Sequence, residues 1–217
     1  MEWLSHEQQR ACIERWRKER YLAGAQWATM WRCFAHRHKR GADILFETAI
    51  SAFGRHLARL AEEANNRPVG GVQSTSRPLV GEELAEFLDM ELLEDYFLLI
   101  GYAIENLCKG ILLAELPELV HNESRLDNLV ITHELKQLVF DCGVDTSSDE
   151  NEFLDYLEQC VTWKSKYPVP KFRRDYPVHE ELNNMQYSQG PASWKRAKSL
   201  ADGLFNRLSV RLEAARK

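Results

Sequence analysis

The sequence predicts an all-α protein, an up-and-down bundle of six or seven helices that forms a single domain over residues 1–217. Apolar residues recur three or four positions apart through most of the chain, which is the spacing of a helix face that packs on a core. Glycine and proline are scarce, with 11 and 7 residues, whereas an all-β domain needs turn residues roughly every 8–12 positions. With 44% hydrophobic residues, the chain can bury one sizeable core.

Two long helices are expected in the first part of the chain. Ser5 followed by Gln8 is a capping-box pattern, which predicts a helix that runs to about Phe34. A second apolar face predicts a helix over Ala42–Ala64. Residues 65–80 hold two prolines, a glycine pair and a serine–threonine cluster, so we expect a surface loop there and the best candidate for disorder.

The stretch Glu82–Leu116 is the most apolar of the chain and predicts a helix that ends before Pro117. A break in this helix is expected near Asp89 or Gly101. The longest uninterrupted apolar run, Tyr96–Ile104, has nine residues. Because a membrane-spanning helix needs about 20 apolar residues, we expect a buried helix and no membrane span.

A loop is expected from Pro117 to about Ile131. Thr132 is a preferred N-cap residue and predicts a short helix over His133–Asp141. Gly143 is placed to end that helix, because glycine readily adopts the left-handed conformation that follows a helix end.

Two further helices complete the predicted bundle. Ser147 and Glu150 form a second capping box, which opens a helix to about Lys166. The two prolines in residues 167–170 then favour extended backbone, because a residue that precedes proline avoids the helical region. Gly190 and Pro191 open the last helix, which runs to the C-terminus.

The cellular compartment is predicted from the N-terminal residues and the cysteines. The first 20 residues are charged from the second position and contain no apolar signal segment. The five cysteines are an odd number and are widely scattered, without a C-x-x-C pair. We therefore expect a cytoplasmic protein with reduced thiols.

Charge is distributed unevenly along the chain. Residues 1–40 carry a net charge of +5, residues 41–81 are neutral, residues 82–160 carry −17 and residues 161–217 carry +7. Such asymmetry has two interpretations. Either the basic ends pack against the acidic middle, or they face an anionic partner.

Cys33, His36 and His38 are the one group with the composition of a metal site. Tetrahedral zinc needs a fourth ligand, and no second ligand pair follows at a regular spacing. The surrounding arginines and lysines favour a basic helix terminus instead, where cations complement the helix dipole. Motifs for phosphate loops, nucleophile elbows and zinc proteases are missing as well. The sequence predicts no metal and no cofactor.

A cluster of polar residues is predicted around the apolar helix. Glu105 and Lys109 are four positions apart in the favourable order for an ion pair, with Asn106 beside them. Polar groups on an apolar helix need partners, and His133 in the next helix is a candidate. The cluster either ties two helices and a loop together or forms part of a functional site.

Three segments together resemble a known family. They are GYAIENLCKGILLA (101–114), THELKQL (132–138) and WKSKYPVP (163–170). The combination is similar to a branch of the HEPN superfamily, small all-α domains of prokaryotic toxin–antitoxin, phage-defence and nucleotidyltransferase-associated proteins. The resemblance lies within 82–171 and is carried by helix-packing patterns. It implies a helical bundle that usually dimerises and has links to RNA cleavage or nucleotide binding.

The resemblance also implies a pair of catalytic residues. Ribonucleases of that superfamily carry Arg-x4–6-His, in which the arginine binds phosphate and the histidine is a general acid or base. Arg174 and His179 match the pattern, although Pro177 interrupts a spacer that is helical in the family. Two other pairings of this spacing occur, Arg32 with His38 and Arg173 with His179, and the composition of the chain gives about as many by chance.

Aromatic and basic residues alternate in the C-terminal third of the chain. Trp163, Lys166, Tyr167, Lys171 and Arg173 have the pattern of a surface for single-stranded RNA, with cations for phosphates and rings for base stacking. The alternative is a proline-bent loop that packs its rings on the bundle and leaves the lysines in water.

These observations predict a HEPN-like protein of nucleic-acid or nucleotide transactions, which binds or cleaves RNA in a bacterial defence or stress system. A homodimer is expected, because Trp16, Trp27, Trp31 and Phe34 give the first helix more aromatic surface than a terminal helix buries alone. The alternative is a non-catalytic helical module with a protein partner. No motif supports an enzyme of small-molecule metabolism.

Overall fold

The fold is an all-α helical bundle, as predicted. The computed structural model describes residues 6–26, 28–65, 78–121, 125–164 and 190–215, without the side chains of 6–9, 22–26, 163 and 164. In these ranges the seven helices are α1 (His6–Gln26), α2 (Ala28–Asn65), α3 (Glu82–Glu115), α4 (Asn128–Ile131), α5 (Leu135–Asp141), α6 (Ser148–Gln159) and α7 (Pro191–Ala215).

The connection between α3 and α4 has more structure than the predicted loop. A 3-10 turn over Pro117–Leu119 follows α3, and β1 (Val120–His121) pairs antiparallel with β2 (Arg125–Leu126). With only two residues in each strand, this hairpin is too small to be stable as a sheet of its own. Within the described ranges there is no other strand.

The predicted boundary between the first two helices is wrong. α1 ends at Gln26, and α2 continues from Ala28 through the basic stretch around residue 40 to Asn65. Gly41 does not break α2, because it lies where the backbone approaches α3, and a β-carbon there would be 3.1 Å from Leu99. The basic residues near Cys33 therefore lie inside a helix of 38 residues and not at a helix terminus.

α3 is unbroken over 34 residues, so the predicted break near Asp89 or Gly101 is also wrong. A β-carbon at Gly101 would overlap the side chain of Val161, in the π-helical turn (Cys160–Lys164) that follows α6. The glycine in α3 is therefore a close-packing position. Pro117 follows the end of α3 as predicted.

Three long helices form the centre of the bundle. Phe46 of α2 packs against Tyr96 of α3, and Phe53 of α2 contacts Trp194 of α7, with ring centroids 5.0 Å apart in both pairs. Buried alanines recur every seven residues along α2, and their small side chains let α2 approach its neighbours closely: Ala28, Ala35, Ala42 and Ala49. α5 and α6 cover another side of α3 and share the same buried core.

α3 is long and apolar enough to cross a membrane, with a mean hydropathy of 1.6 in its most apolar 18-residue window. However, 72% of that window is buried inside the bundle. Burial of this kind is what the core helix of a soluble protein shows, so the helix is compatible with a soluble protein.

Capping explains where the short helices begin and end. Ser147 and Glu150 form the predicted capping box at the start of α6. Gly143 has a φ of 68°, and its N–H donates to the carbonyl of Phe140 at the end of α5. The predicted start of α5 is wrong by two residues, because Thr132 follows α4 in extended backbone and accepts a hydrogen bond from the N–H of Glu134.

Candidate functional site

The polar residues of α3 face the region between α2 and the α4–α5 turn. Glu105 and Lys109 lie one helical turn apart, and the Nζ of Lys109 donates to the Oε1 of Glu105 at 2.6 Å. Each side chain is only 9% exposed. A buried ion pair needs further hydrogen bonds, since mutual attraction alone does not repay the loss of hydration.

His133 supplies one of those hydrogen bonds. Its Nδ1 lies 2.9 Å from the Oε2 of Glu105, which confirms the predicted contact between this histidine and α3. The contact is possible because α4 ends at Ile131 and α5 starts only at Leu135, so that His133 lies in the turn between them. The His133 side chain is 47% exposed, so the pair of Glu105 and His133, called the dyad below, reaches the surface.

Asn106 links the same face to α2. Its Nδ2 donates to the carbonyl of Tyr102 at 2.7 Å and lies 3.3 Å from the Nδ1 of His38. Burial lowers the pKa of His38, and the positive charge of Arg37 lowers it further, while Glu105 acts in the opposite direction. We refer to Glu105, Asn106, Lys109, His133 and His38 as the α3 cluster.

Sequence analysis found four of the five residues of the α3 cluster and missed His38. Seen in the sequence, His38 belongs to a basic stretch between two predicted helices. Its role depends on the continuity of α2, which brings position 38 beside Asn106, 68 residues further along the chain. The spacing of His38 from Ala35 and Ala42 is the one signal that places it on the packed side of a helix.

The Glu105–His133 pair has a geometry that acid–base chemistry uses. A carboxylate at Nδ1 fixes the orientation and tautomer of an imidazole, so that Nε2 is the atom that takes up or delivers a proton. Lys109 in turn holds the other oxygen of that carboxylate in place. The arrangement is a histidine at the surface, oriented by a buried and paired glutamate.

In the described ranges, no three His, Cys, Asp or Glu side chains lie close enough together to hold a metal ion. The three residues of the C-x-x-H-x-H pattern lie in different surroundings. Cys33 is exposed, and the ring of His36 meets the edge of Phe205 at 5.0 Å. His38 belongs to the α3 cluster.

A second ionic cluster joins α2 to α7. Lys39 and Lys198 alternate with Asp43 and Asp202, and the nitrogen–oxygen distances between them are 2.6–3.0 Å. Although burial opposes the shift, hydrogen bonds from both lysines lower the pKa of Asp43. Burial lowers the pKa of Lys198, but its hydrogen bonds to Asp43 and Asp202 outweigh that effect and raise it. We call these four residues the α2–α7 network.

The basic residues of α7 also pair with the acidic middle of the chain. Arg207 lies 2.6 Å from Glu150 at the start of α6, and Arg196 lies 2.6 Å from Asp149. Hydrogen bonds from the Ser147 backbone and from Arg207 lower the pKa of Glu150, although its burial acts against them. For α7, the intramolecular interpretation of the uneven charge is therefore correct.

The other predicted site residues lie largely outside the described residues. Trp163 falls in the π-helical turn after α6, where only its backbone is described. Six more belong to 165–189: Lys166, Tyr167, Lys171, Arg173, Arg174 and His179. Their predicted roles in RNA binding and catalysis stay predictions, as does the loop expected at residues 66–77.

Comparison of the chain with protein-family models, with curated proteins and with solved structures finds no match. The class of protein is therefore set by the structure alone, which is an all-α bundle in which a buried glutamate of the central helix contacts a histidine at the surface. The HEPN resemblance depends on the motifs within residues 82–171.

Proposed function

We propose that the chain is a HEPN-like protein that acts on RNA in a bacterial defence or stress system, with His133 as its acid–base residue. The observation that supports this proposal is the 2.9 Å contact between His133 Nδ1 and the buried Glu105 carboxylate. The motifs that resemble the HEPN superfamily contain both residues of this dyad. The proposal thus joins the resemblance to a geometry that has a chemical use.

The proposed reaction is cleavage of RNA by its own 2′-hydroxyl. The Nε2 of His133 accepts the 2′-hydroxyl proton while the 2′-oxygen bonds to phosphorus. The bond from phosphorus to the 5′-oxygen then breaks, the leaving oxygen takes a proton from solvent water, and a 2′,3′-cyclic phosphate forms. Glu105 stabilises the imidazolium that results. A cation is needed at the phosphate, and the family pattern assigns that role to Arg174.

A cleavage assay with a labelled single-stranded RNA tests this proposal. Loss of a general acid or base lowers rates by about 10²–10⁴-fold, and we expect that loss in His133→Ala. The matched control is His121→Ala, because His121 also contacts a carboxylate, that of Asp127 at 2.6 Å, but lies on the exposed hairpin. Cleavage that is equally fast in His133→Ala, or no cleavage by the wild type, would contradict the proposal.

The same assay decides between His133 and the pair predicted from sequence. If Arg174 and His179 form the catalytic pair, His179→Ala abolishes cleavage and His133→Ala leaves it intact. RNA binding is measured separately by fluorescence anisotropy with Lys166→Ala, Lys171→Ala and Arg173→Ala combined. We expect weaker binding and a shallower salt dependence, by roughly 0.7 in the log–log slope for each lost phosphate contact on a single strand.

A non-catalytic interaction module is the second candidate function. It is favoured by the surface of the bundle, where Phe140 of α5 is 75% exposed. Aromatic side chains are enriched at protein interfaces, so this ring is a candidate anchor for a protein partner. Binding of a protein partner without any RNA binding or cleavage is the result expected for this alternative.

A further inference from the structure

Residues 10–20 of α1 form a helix that the bundle leaves uncovered. Every one of these eleven residues is exposed, over three helical turns. Ile13 and Trp16 are 50% and 58% exposed and share one face of the helix. The guanidinium group of Arg20 lies 5.3 Å from the centre of the Trp16 ring on that face. We call residues 10–20 the N-terminal arm.

Directly after the arm, α1 packs against the bundle. Tyr21 lies with Trp31 against a small buried cluster of Leu113, Val120 and Val130. The expected interface aromatic Trp31 is thus part of the chain's own packing, whereas Phe34 is 39% exposed and Trp27 lies outside the described residues. An uncovered helix of this length is marginal in water, because helices in proteins owe their stability mostly to packing.

A groove between α5 and α6 has the opposite charge to the N-terminal arm and also exposes an aromatic ring. It has a volume of about 750 Å³, and the charged and aromatic side chains that line it are Glu134, Lys136, Phe140, Asp145, Asp155 and Glu158. Four carboxylates face a single lysine, which pairs with Asp155 at 2.7 Å. The ring of Phe140, 75% exposed, supplies an apolar surface inside this negative groove.

The carboxylates of the groove are crowded. Burial raises the pKa of Glu158, and the charges of Asp155 and Glu134 raise it further, although the Leu135 backbone and Lys136 act in the opposite direction. A cationic occupant would relieve this repulsion. The arm has five cations against two carboxylates, and its exposed Trp16 and Ile13 match the exposed ring of the groove.

We propose that the N-terminal arm of one copy of the chain docks in the α5–α6 groove of a second copy, and that the second copy returns the same contact. Opposite charge and matching apolar side chains on the two surfaces carry this inference. A reciprocal exchange buries both arms and closes the assembly as a two-fold dimer. Attraction between the charged rims speeds association and weakens as salt increases. The proposal is independent of any activity toward RNA.

Sedimentation of the full chain with charge-reversed variants tests the exchange. Arg15→Glu with Arg17→Glu reverses the arm, and Asp145→Lys with Asp155→Lys reverses the groove; all four side chains are exposed. We expect the wild type to be a dimer at tens of micromolar and each double variant to dissociate at least tenfold more readily. A 1:1 mixture of the two variants should restore the dimer, since each arm then meets a groove of opposite charge.

The matched control is Arg40→Glu with Lys195→Glu, which makes the same charge change as the arm variant at exposed positions on α2 and α7. It should leave the dimer unchanged. A monomeric wild type, or a mixture of variants that stays monomeric although circular dichroism shows both to be folded, would overturn the proposal. So would a monomer whose arm reversal removes RNA binding, because the occupant of the arm would then be RNA.

Discussion

The α3 cluster and the α2–α7 network are both ionic clusters between helices, yet they differ in how their charges are matched. The network has two lysines and two aspartates, and each cation contacts both anions. The α3 cluster has one carboxylate shared by a buried lysine and a histidine at the surface. Its second histidine, His38, is held by an amide and not by a charge.

This difference separates a structural ionic cluster from one that is suited to chemistry. In the network, the pKa shifts of Asp43 and Lys198 both favour the charged forms, so these two groups stay charged near neutral pH. In the α3 cluster, the imidazole of His133 contacts the buried Glu105 carboxylate, and that of His38 contacts the Asn106 amide. The contact with Glu105 orients a surface histidine, and this orientation is the basis of the acid–base role proposed for His133.

Removal of Glu105 is expected to have the largest effect on stability. Glu105→Ala leaves the Lys109 cation buried without its partner, and breaking a buried pair in this way costs about 3–5 kcal/mol. The double variant Glu105→Leu with Lys109→Met replaces both charges by apolar groups and should recover most of that loss. The measurement is urea-induced unfolding followed by circular dichroism.

The Glu105 variants separate an effect on stability from an effect on function. A double variant that is as stable as the wild type but inactive on RNA places the function of Glu105 in orienting His133. If the double variant were as unstable as Glu105→Ala, the pair would be needed for the fold itself. Retention of full RNA cleavage in a stable double variant would remove the α3 cluster from the site.

Loss of one lysine from the α2–α7 network should have a smaller effect. Lys198→Met leaves Lys39 in contact with both aspartates, so no anion loses its last partner. The lysine side chain is 23% exposed, and partly exposed ion pairs contribute about 1 kcal/mol or less. Unfolding of Lys198→Met, compared with Lys195→Met on the exposed side of α7, measures the difference. A loss as large as that of Glu105→Ala would contradict the proposed order.

Much of the fold could be predicted from local signals. The capping box at Ser147 and Glu150, the left-handed Gly143 and the Gly190–Pro191 start of α7 each depend on residues within a few positions of one another. The contact of His133 with α3 was also predictable. A glutamate–lysine pair on an apolar helix needs polar partners, and few side chains nearby in the sequence can provide them.

The errors in α2 and α3 have a common physical cause, which is close packing of helices that are distant in sequence. Gly41 and Gly101 act as helix breakers in an isolated segment, but Leu99 and Val161 occupy the space beside them in the bundle. Sequence periodicity cannot show which helix lies there. For the same reason His38 was not assigned to the α3 cluster, because its neighbour Asn106 is far along the chain.

The smallest expected effect is a dependence of stability on pH to which His38 of the α3 cluster contributes and the α2–α7 network does not. Burial and the charge of Arg37 lower the pKa of His38, so the unfolded chain, with an ordinary pKa of about 6.5, binds its proton more readily. Stability should therefore be greatest above pH 6.5 and should decrease as the pH falls from 6.5 toward the pKa of the folded state.

In the α2–α7 network, Asp43 and Lys198 contribute no change of stability in that window. The lowered pKa of Asp43 means that its contribution is lost only at pH values below the ordinary aspartate range, and the raised pKa of Lys198 only above the ordinary lysine range. We expect the Tm of Lys198→Met to decrease between pH 7.5 and 5.5 by as much as that of the wild type.

His38→Gln should show a smaller decrease than the wild type. The difference in the free energy of unfolding should be less than about 1 kcal/mol, since solvent screens a half-buried ring. The pKa of His36 is also lowered, by burial and by Arg32, so part of the decrease remains, and the difference between variants isolates His38. An equal decrease in His38→Gln and the wild type would show that His38 does not set the pH response of the α3 cluster.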